Sequence, residues 1–207
     1  MCPNKEISSS EYSALFETLK SLENSFEQNE LAFLAATSKV ECPIRDKWAY
    51  MLWQNLPAHY HVAREWKRTD LAILNNSTPE VLIELKAMYT LDAINKPIGI
   101  NGYIEQMNND AVKAKLLAVN NSAVYTVLLA THPKQPYPYE LEGVLKYLKQ
   151  VNKCFNVHYY EGKIKMKATQ AVNDNLQHKH VVTSGTINAG VAFGIEFEVL
   201  YWVVKEQ

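Results

Sequence analysis

Two apolar segments, Arg68-Thr69-Asp70-Leu71-Ala72-Ile73-Leu74 and Glu80-Val81-Leu82-Ile83-Glu84-Leu85-Lys86, flank the run Asn75-Asn76-Ser77-Thr78-Pro79. Short segments rich in branched apolar residues, separated by turn-forming residues, read as a β-hairpin. With the turn centred on Ser77, Asp70 faces Glu84 and Ala72 faces Leu82 across the ladder. Strand side chains alternate, so Glu84 and Lys86 project together while Ile83 and Leu85 enter the opposite layer. The hairpin therefore gathers two carboxylates and an ammonium on one half-buried face. Facing carboxylates repel, which favours a proton or a bound cation between them, and oxygen-only donors suit Mg²⁺ or Mn²⁺. A lysine beside such an ion orients an attacking water and offsets charge developing on a phosphate. The plainer alternative for these three residues is a cross-strand salt bridge from Lys86 to one acid.

The surroundings of the hairpin predict its setting. Leu15, Leu19, Leu22 and Phe26 recur at helical spacing within 9–35, and Ile44, Trp48, Met51 and Leu52 form one stripe of a helix over 43–55, which Pro43 opens and Pro57 ends. An extended segment at 59–66 completes a three-stranded meander with the hairpin. A helix over 102–119, an apolar strand at 123–131 and a helix over 139–155 follow, the last after Pro133, Pro136 and Pro138. From Val157 onward the pattern alternates like strands, ending in 187–204. The expected architecture is α/β, a mixed central sheet flanked by helices. It forms one domain over 1–207, with a helical extension at 1–39, a core at 40–132 and a β-rich C-terminal segment with one helix at 133–207.

Thr69-Asp70 followed by Glu84-Leu85-Lys86, inside a helix-strand-strand-strand-helix-strand succession, resembles the PD-(D/E)XK nuclease superfamily. That superfamily includes many restriction endonucleases, DNA repair nucleases and junction resolvases. The resemblance covers roughly residues 40–132, with Thr69 standing where a proline usually precedes the first acid. It implies a restriction-endonuclease-like fold, Asp70 and Glu84 as ligands of Mg²⁺ or Mn²⁺, and Lys86 as the water-positioning or charge-stabilising residue. Members often add an acid from the helix before the sheet. Glu41, three before Ile44 and seven before Trp48, is the candidate third metal ligand, while Asp46, two after Ile44, turns away.

Charge bears on the substrate. The 21 Lys and Arg against 22 Asp and Glu exclude a global polycationic attraction to nucleic acid, but 111–180 carries ten lysines against four acids. Lys146, Lys149 and Lys153, spaced three and four apart, are expected on one helix face. With Arg64 and Arg68 ahead of Asp70, and Lys113 on the following helix, they are the candidate DNA-contacting residues. Tyr137, Tyr139, Tyr147, Tyr159 and Tyr160 interleave with lysines and read either as base-stacking or as core residues. The pairs His59/His61 and His178/His180 lack a third zinc ligand, and Cys2, Cys42 and Cys154 read as ordinary thiols. No apolar run approaches membrane-spanning length and the first six residues carry no export pattern, so a cytoplasmic setting is expected. The expected function is metal-dependent hydrolysis of DNA phosphodiester bonds, as a restriction or defence endonuclease acting as a symmetric homodimer. The alternatives are a catalytically silent relative that binds nucleic acid or a protein, and a nuclease for branched DNA.

Overall fold

The computed structural model describes residues 9–94, 99–119, 122–158 and 161–207. Its elements are α1 (Ser9–Lys20), α2 (Glu30–Thr37), α3 (Glu41–Asn55), β1 (Tyr60–Trp66), β2 (Thr69–Asn75) and β3 (Thr78–Tyr89). There follow α4 (Thr90–Ile94), α5 (Asn101–Leu117), β4 (Ala123–Pro133), α6 (Leu148–His158), α7 (Glu161–Leu176), β5 (His180–Ala192) and β6 (Ile195–Glu206). The strands form one six-stranded sheet in the order β1-β2-β3-β4-β6-β5. β3 and β4 run parallel and are connected through α4 and α5, whereas every other neighbouring pair is antiparallel. The chain is thus α/β, a mixed sheet flanked by helices.

Period-two alternation assigns the two faces. Val81, Ile83, Leu85, Ala87 and Tyr89 of β3 enter the larger cluster, with Leu15 and Leu19 of α1 and Ile44, Trp48 and Leu52 of α3. The Trp48 indole N–H donates to Thr18 Oγ1 at 3.1 Å, tying α3 to α1 without leaving a polar atom stranded. On the other face β3 lies against α5, and Met88 shares a cluster with residues of α7. There the apolar core is split: Ala72, Leu82, Ala114 and Val124 form one cluster, and Met88, Met107, Leu128, Val172 and Trp202 belong to a second.

The hairpin register is as expected at its centre, where Ala72 pairs with Leu82 and Leu71 with Ile83. Nearer the turn the pairs are Leu74↔Pro79 and Asn75↔Thr78, and an irregularity between Ile73 and Leu74 absorbs the one-residue shift. Asn76 and Ser77 close the hairpin with φ of 47° and 70°, the doubly left-handed geometry of a type I′ turn.

Two parts of the C-terminal half differ from expectation. The stretch 139–155 is not one helix: a 3₁₀ turn at Tyr139–Leu141 is followed by irregular chain, and α6 begins only at Leu148. Gly143 at φ 89° and Tyr147 at φ 60° interrupt it, and the Lys146 N–H donates to Ala36 O at 2.8 Å instead of continuing a helix. Residues 161–176, read as strand, are helix α7. The alternation of Gly162-Lys163-Ile164-Lys165-Met166-Lys167 suggests period two, but Ile164 is buried and Met166 is 62% exposed. The governing period is four, through Ile164, Ala168, Val172 and Leu176, all buried. The C-terminal segment is therefore two helices and two strands.

The turn generates a stability prediction. A non-glycine residue in the left-handed region costs on the order of 1 kcal/mol or more, and Asn-Gly is the favoured type I′ pair. Ser77→Gly should stabilise the protein by about 0.5 kcal/mol after the entropy of a freer unfolded chain is subtracted, raising Tm by roughly 1–2 °C. A thermal melt checks it, and a lowered Tm would contradict the turn assignment.

Candidate active site

The site begins where two neighbouring strands part. β2 is paired to β3 only as far as Leu71↔Ile83, whereas β3 continues beside β4 to Tyr89↔Thr131. Beyond Ile83 the outward N–H groups of β3 have no strand to receive them, and a buried N–H requires an acceptor. Carboxylates take three in succession. Asp70 Oδ2 accepts from Leu85 N–H at 2.8 Å, Glu41 Oε2 from Ala87 N–H at 2.9 Å, and Asp92 Oδ2 from Tyr89 N–H at 2.8 Å. Glu41 can do this because α3 starts at that residue, with Ile44 and Trp48 anchoring the helix against the sheet.

Asp70 and Glu84 stand one step beyond the last paired rung, and their carboxyl groups act on each other across it. Two facing carboxyl groups favour a proton or a cation between them. Burial, then the charges of Asp70 and Asp110, push the Glu84 carboxyl up to about 8. Burial also raises Asp70, with the Leu85 N–H and the guanidinium of Arg45, 3.8 Å away, working against it. Glu41 is raised by burial, with Lys86 and the Ala87 N–H opposing.

Lys86 lies on the same face, and its Nζ is 3.0 Å from Asp110 Oδ2 on α5. Burial works to lower its pKa, but Asp110, Glu41 and Asp70 outweigh that and raise it, so the ammonium stays charged. The other oxygen of Asp110 receives Lys113 Nζ at 2.8 Å. Burial acts upward on Asp110, and the two lysines overcome it and lower its pKa. Glu84 and Lys86, set between Leu82 and Met88 on β3, are the polar interruption that separates the two apolar clusters of this face.

Of the expected DNA-contacting residues, Arg64 pairs with Asp46 at 2.9 Å and Lys113 with Asp110. Arg68 sits exposed in the β1–β2 turn, where Lys67 and Arg68 have φ of 49° and 74°. Lys146 precedes α6 rather than sharing a face with Lys149 and Lys153. Lys149 pairs with Glu142 at 2.5 Å, and α6 packs into the cluster on the face opposite Lys86. The three lysines therefore do not form the single helical face expected of them. Among the tyrosines, Tyr137 is buried and Tyr139 exposed, while Tyr159, Tyr160 and Cys2 lie outside the described residues, as do the first six residues on which the export reading rests.

Two residues of the cluster carry more than their sequence context signalled. Arg45, one helical turn after Glu41, is buried and pairs with Asp46 and Glu65 as well as approaching Asp70. Its spacing from Glu41 and the scarcity of arginine, three in the chain, were the available signals. Asp110 was one of several polar residues on its helix, and nothing in the sequence distinguished it from Gln106.

Three carboxyl groups, Glu41, Asp70 and Asp110, thus act on the one ammonium of Lys86, and Glu84 feels the charges of Asp70 and Asp110. Among the described residues no three His, Cys, Asp or Glu side chains already stand together as a metal cage, and the contacting pair is Asp70 and Glu84. Among those residues also, no helix is long and apolar enough to cross a membrane. No family model, curated protein or solved structure matches the chain.

The pair generates a pH prediction. Glu84 has a folded pKa above its ordinary 4.5, so the stability gained from its neutral form is fully present below 4.5 and lost as pH rises through about 8. Buried His132 is depressed from 6.5 to about 4 by burial, so its contribution is complete above 6.5 and lost only as pH falls. Between pH 6.5 and about 9, the metal-free protein should lose Tm while Glu84→Gln loses much less. Parallel Tm curves in chelator would contradict the protonated pair.

Proposed function

We propose that the chain is a Mg²⁺- or Mn²⁺-dependent phosphodiesterase that hydrolyses DNA, a nuclease of restriction-endonuclease-like type. The observation that carries this reading is the contact between Asp70 and Glu84 at the end of the β2–β3 ladder, with Lys86 on the same strand face. The order α3-β1-β2-β3-α4-α5-β4 supports it, being the helix, three strands, helical crossover and strand on which the sequence resemblance rests, with the short α4 added.

The residues fit a divalent ion. The donors are oxygen only, the pair is largely buried, and negative charge exceeds positive around it. Mg²⁺ is commonly held by one or two carboxylates, with water and substrate phosphate completing its shell. Asp70 and Glu84 would hold the ion and Glu41 is the third carboxylate beside them. When bound, the ion would supply Lewis-acid charge to the scissile phosphate. The chain's own groups do the rest. Glu84, with its carboxyl raised to about 8, would hold such an ion in its deprotonated form. Lys86 presents a charged Nζ that orients a water and offsets charge on the pentacovalent phosphorus. Arg64, Arg68 and Lys113 are the cations assigned to the DNA backbone, Arg64 exchanging Asp46 for phosphate. Cleavage of both strands calls for a symmetric dimer. A catalytically silent binder is the second reading, favoured by the ion pair that holds Lys86 on Asp110.

Nicking of supercoiled plasmid DNA tests the reading. Activity is expected with Mg²⁺ or Mn²⁺ and none in chelator. Lys86→Ala should reduce the rate by about 10²-fold or more while retaining Mn²⁺ binding, whereas Asp70→Ala should lose both. DNA retention in chelator with no nicking under any metal would favour the silent binder, and a branched-DNA panel separates a junction nuclease.

A further inference from the structure

Lys86 follows Glu84 by two residues on one strand face, which places their Cα atoms about 6.6 Å apart. A lysine side chain spans that distance, and Lys86 feels the charges of Asp110, Glu41 and Asp70. Left to simple attraction, the ammonium would settle on the Asp70–Glu84 pair and form the cross-strand salt bridge that competes with a metal for the same oxygens. It does not: Nζ is 3.0 Å from Asp110 Oδ2. Asp110 is well placed to outcompete the pair. Helix α5 is fixed by buried Met107, Ala111 and Ala114, so Asp110 is presented to the sheet among these anchors. Its second oxygen is engaged by Lys113 at 2.8 Å, which directs the first toward Lys86.

We propose that Asp110 is a positioning residue that holds the Lys86 ammonium off the Asp70–Glu84 pair, keeping those carboxylates open to a divalent ion. The inference rests on the metal-site reading above and adds the reason that a lysine can sit so close to metal ligands without neutralising them. Asp110 itself touches neither ion nor substrate in this role.

Titration calorimetry with Mn²⁺ alone tests it, on the full chain and four variants: Asp110→Asn, Asp110→Glu, Lys86→Met and the double Asp110→Asn/Lys86→Met. Asp110→Asn should weaken Mn²⁺ binding about tenfold as Lys86 collapses onto the pair. In the Lys86→Met background the same change should weaken it by less than about threefold, because no ammonium remains to collapse. Asp110→Glu, which keeps the carboxylate, should bind within about threefold of the parent and serves if the asparagine variant misfolds. Equal losses in both backgrounds would overturn the inference, since they would reflect only a missing negative charge. No loss in Asp110→Asn, or loss in Asp110→Glu comparable to it, would overturn it too. A parent chain with no Mn²⁺ affinity refutes the metal site itself, whereas a parent that binds while Asp110→Asn is unaffected refutes the inference alone.

Discussion

β3 is twelve residues long and β2 seven, and the difference in reach governs the rest of the site. Every buried amide beyond Ile83 on the β2 side needs an acceptor, and the chain answers with the carboxyl groups of Asp70, Glu41 and Asp92 rather than with another strand. Charged acceptors make strong hydrogen bonds to N–H groups, but they concentrate negative charge where water is scarce. The remaining features relieve that charge. Arg45 approaches Asp70, Lys86 joins Asp110, and Glu84 keeps a proton. The same excess of negative charge is what would draw a divalent cation.

This arrangement interrupts the packing of one sheet face. Leu82 and Met88 each belong to an apolar cluster, and Glu84 and Lys86 between them keep the two clusters apart. Replacing such buried charges with well-packed apolar side chains is often neutral or stabilising, so stability alone does not explain their presence. Helix α5 spans the gap, contributing Ala114 to one cluster and Met107 to the other, with Asp110 between. Residues that break a local packing rule without gain in stability belong at functional sites.

The first half of the chain was legible because its signals were local. Turn residues at 75–79, period-two burial on β3 and the apolar stripe of α3 each act within a few residues, so the hairpin register followed from counting. What lay beyond local pattern was less accessible. The basic alternation of 162–167 imitates a strand, and only packing of Ile164, Ala168, Val172 and Leu176 against the sheet reveals the helix. A left-handed Tyr147 broke the expected lysine face, and no residue type signals that conformation there. Asp70, Glu84 and Lys86 could be grouped from one hairpin, and Glu41 from its helix stripe. Asp110 and Arg45 join them only through tertiary packing.

On the proposed reading, Asp70 and Glu84 form a divalent-ion site at the end of the β2–β3 ladder. Anomalous scattering from crystals of the unaltered chain grown with Mn²⁺ tests it most directly. An anomalous peak ligated by carboxylate oxygens of Asp70 and Glu84, with Lys86 still on Asp110, is expected. No peak at that pair at saturating Mn²⁺, or a Lys86 ammonium seated between the two carboxylates, would contradict it.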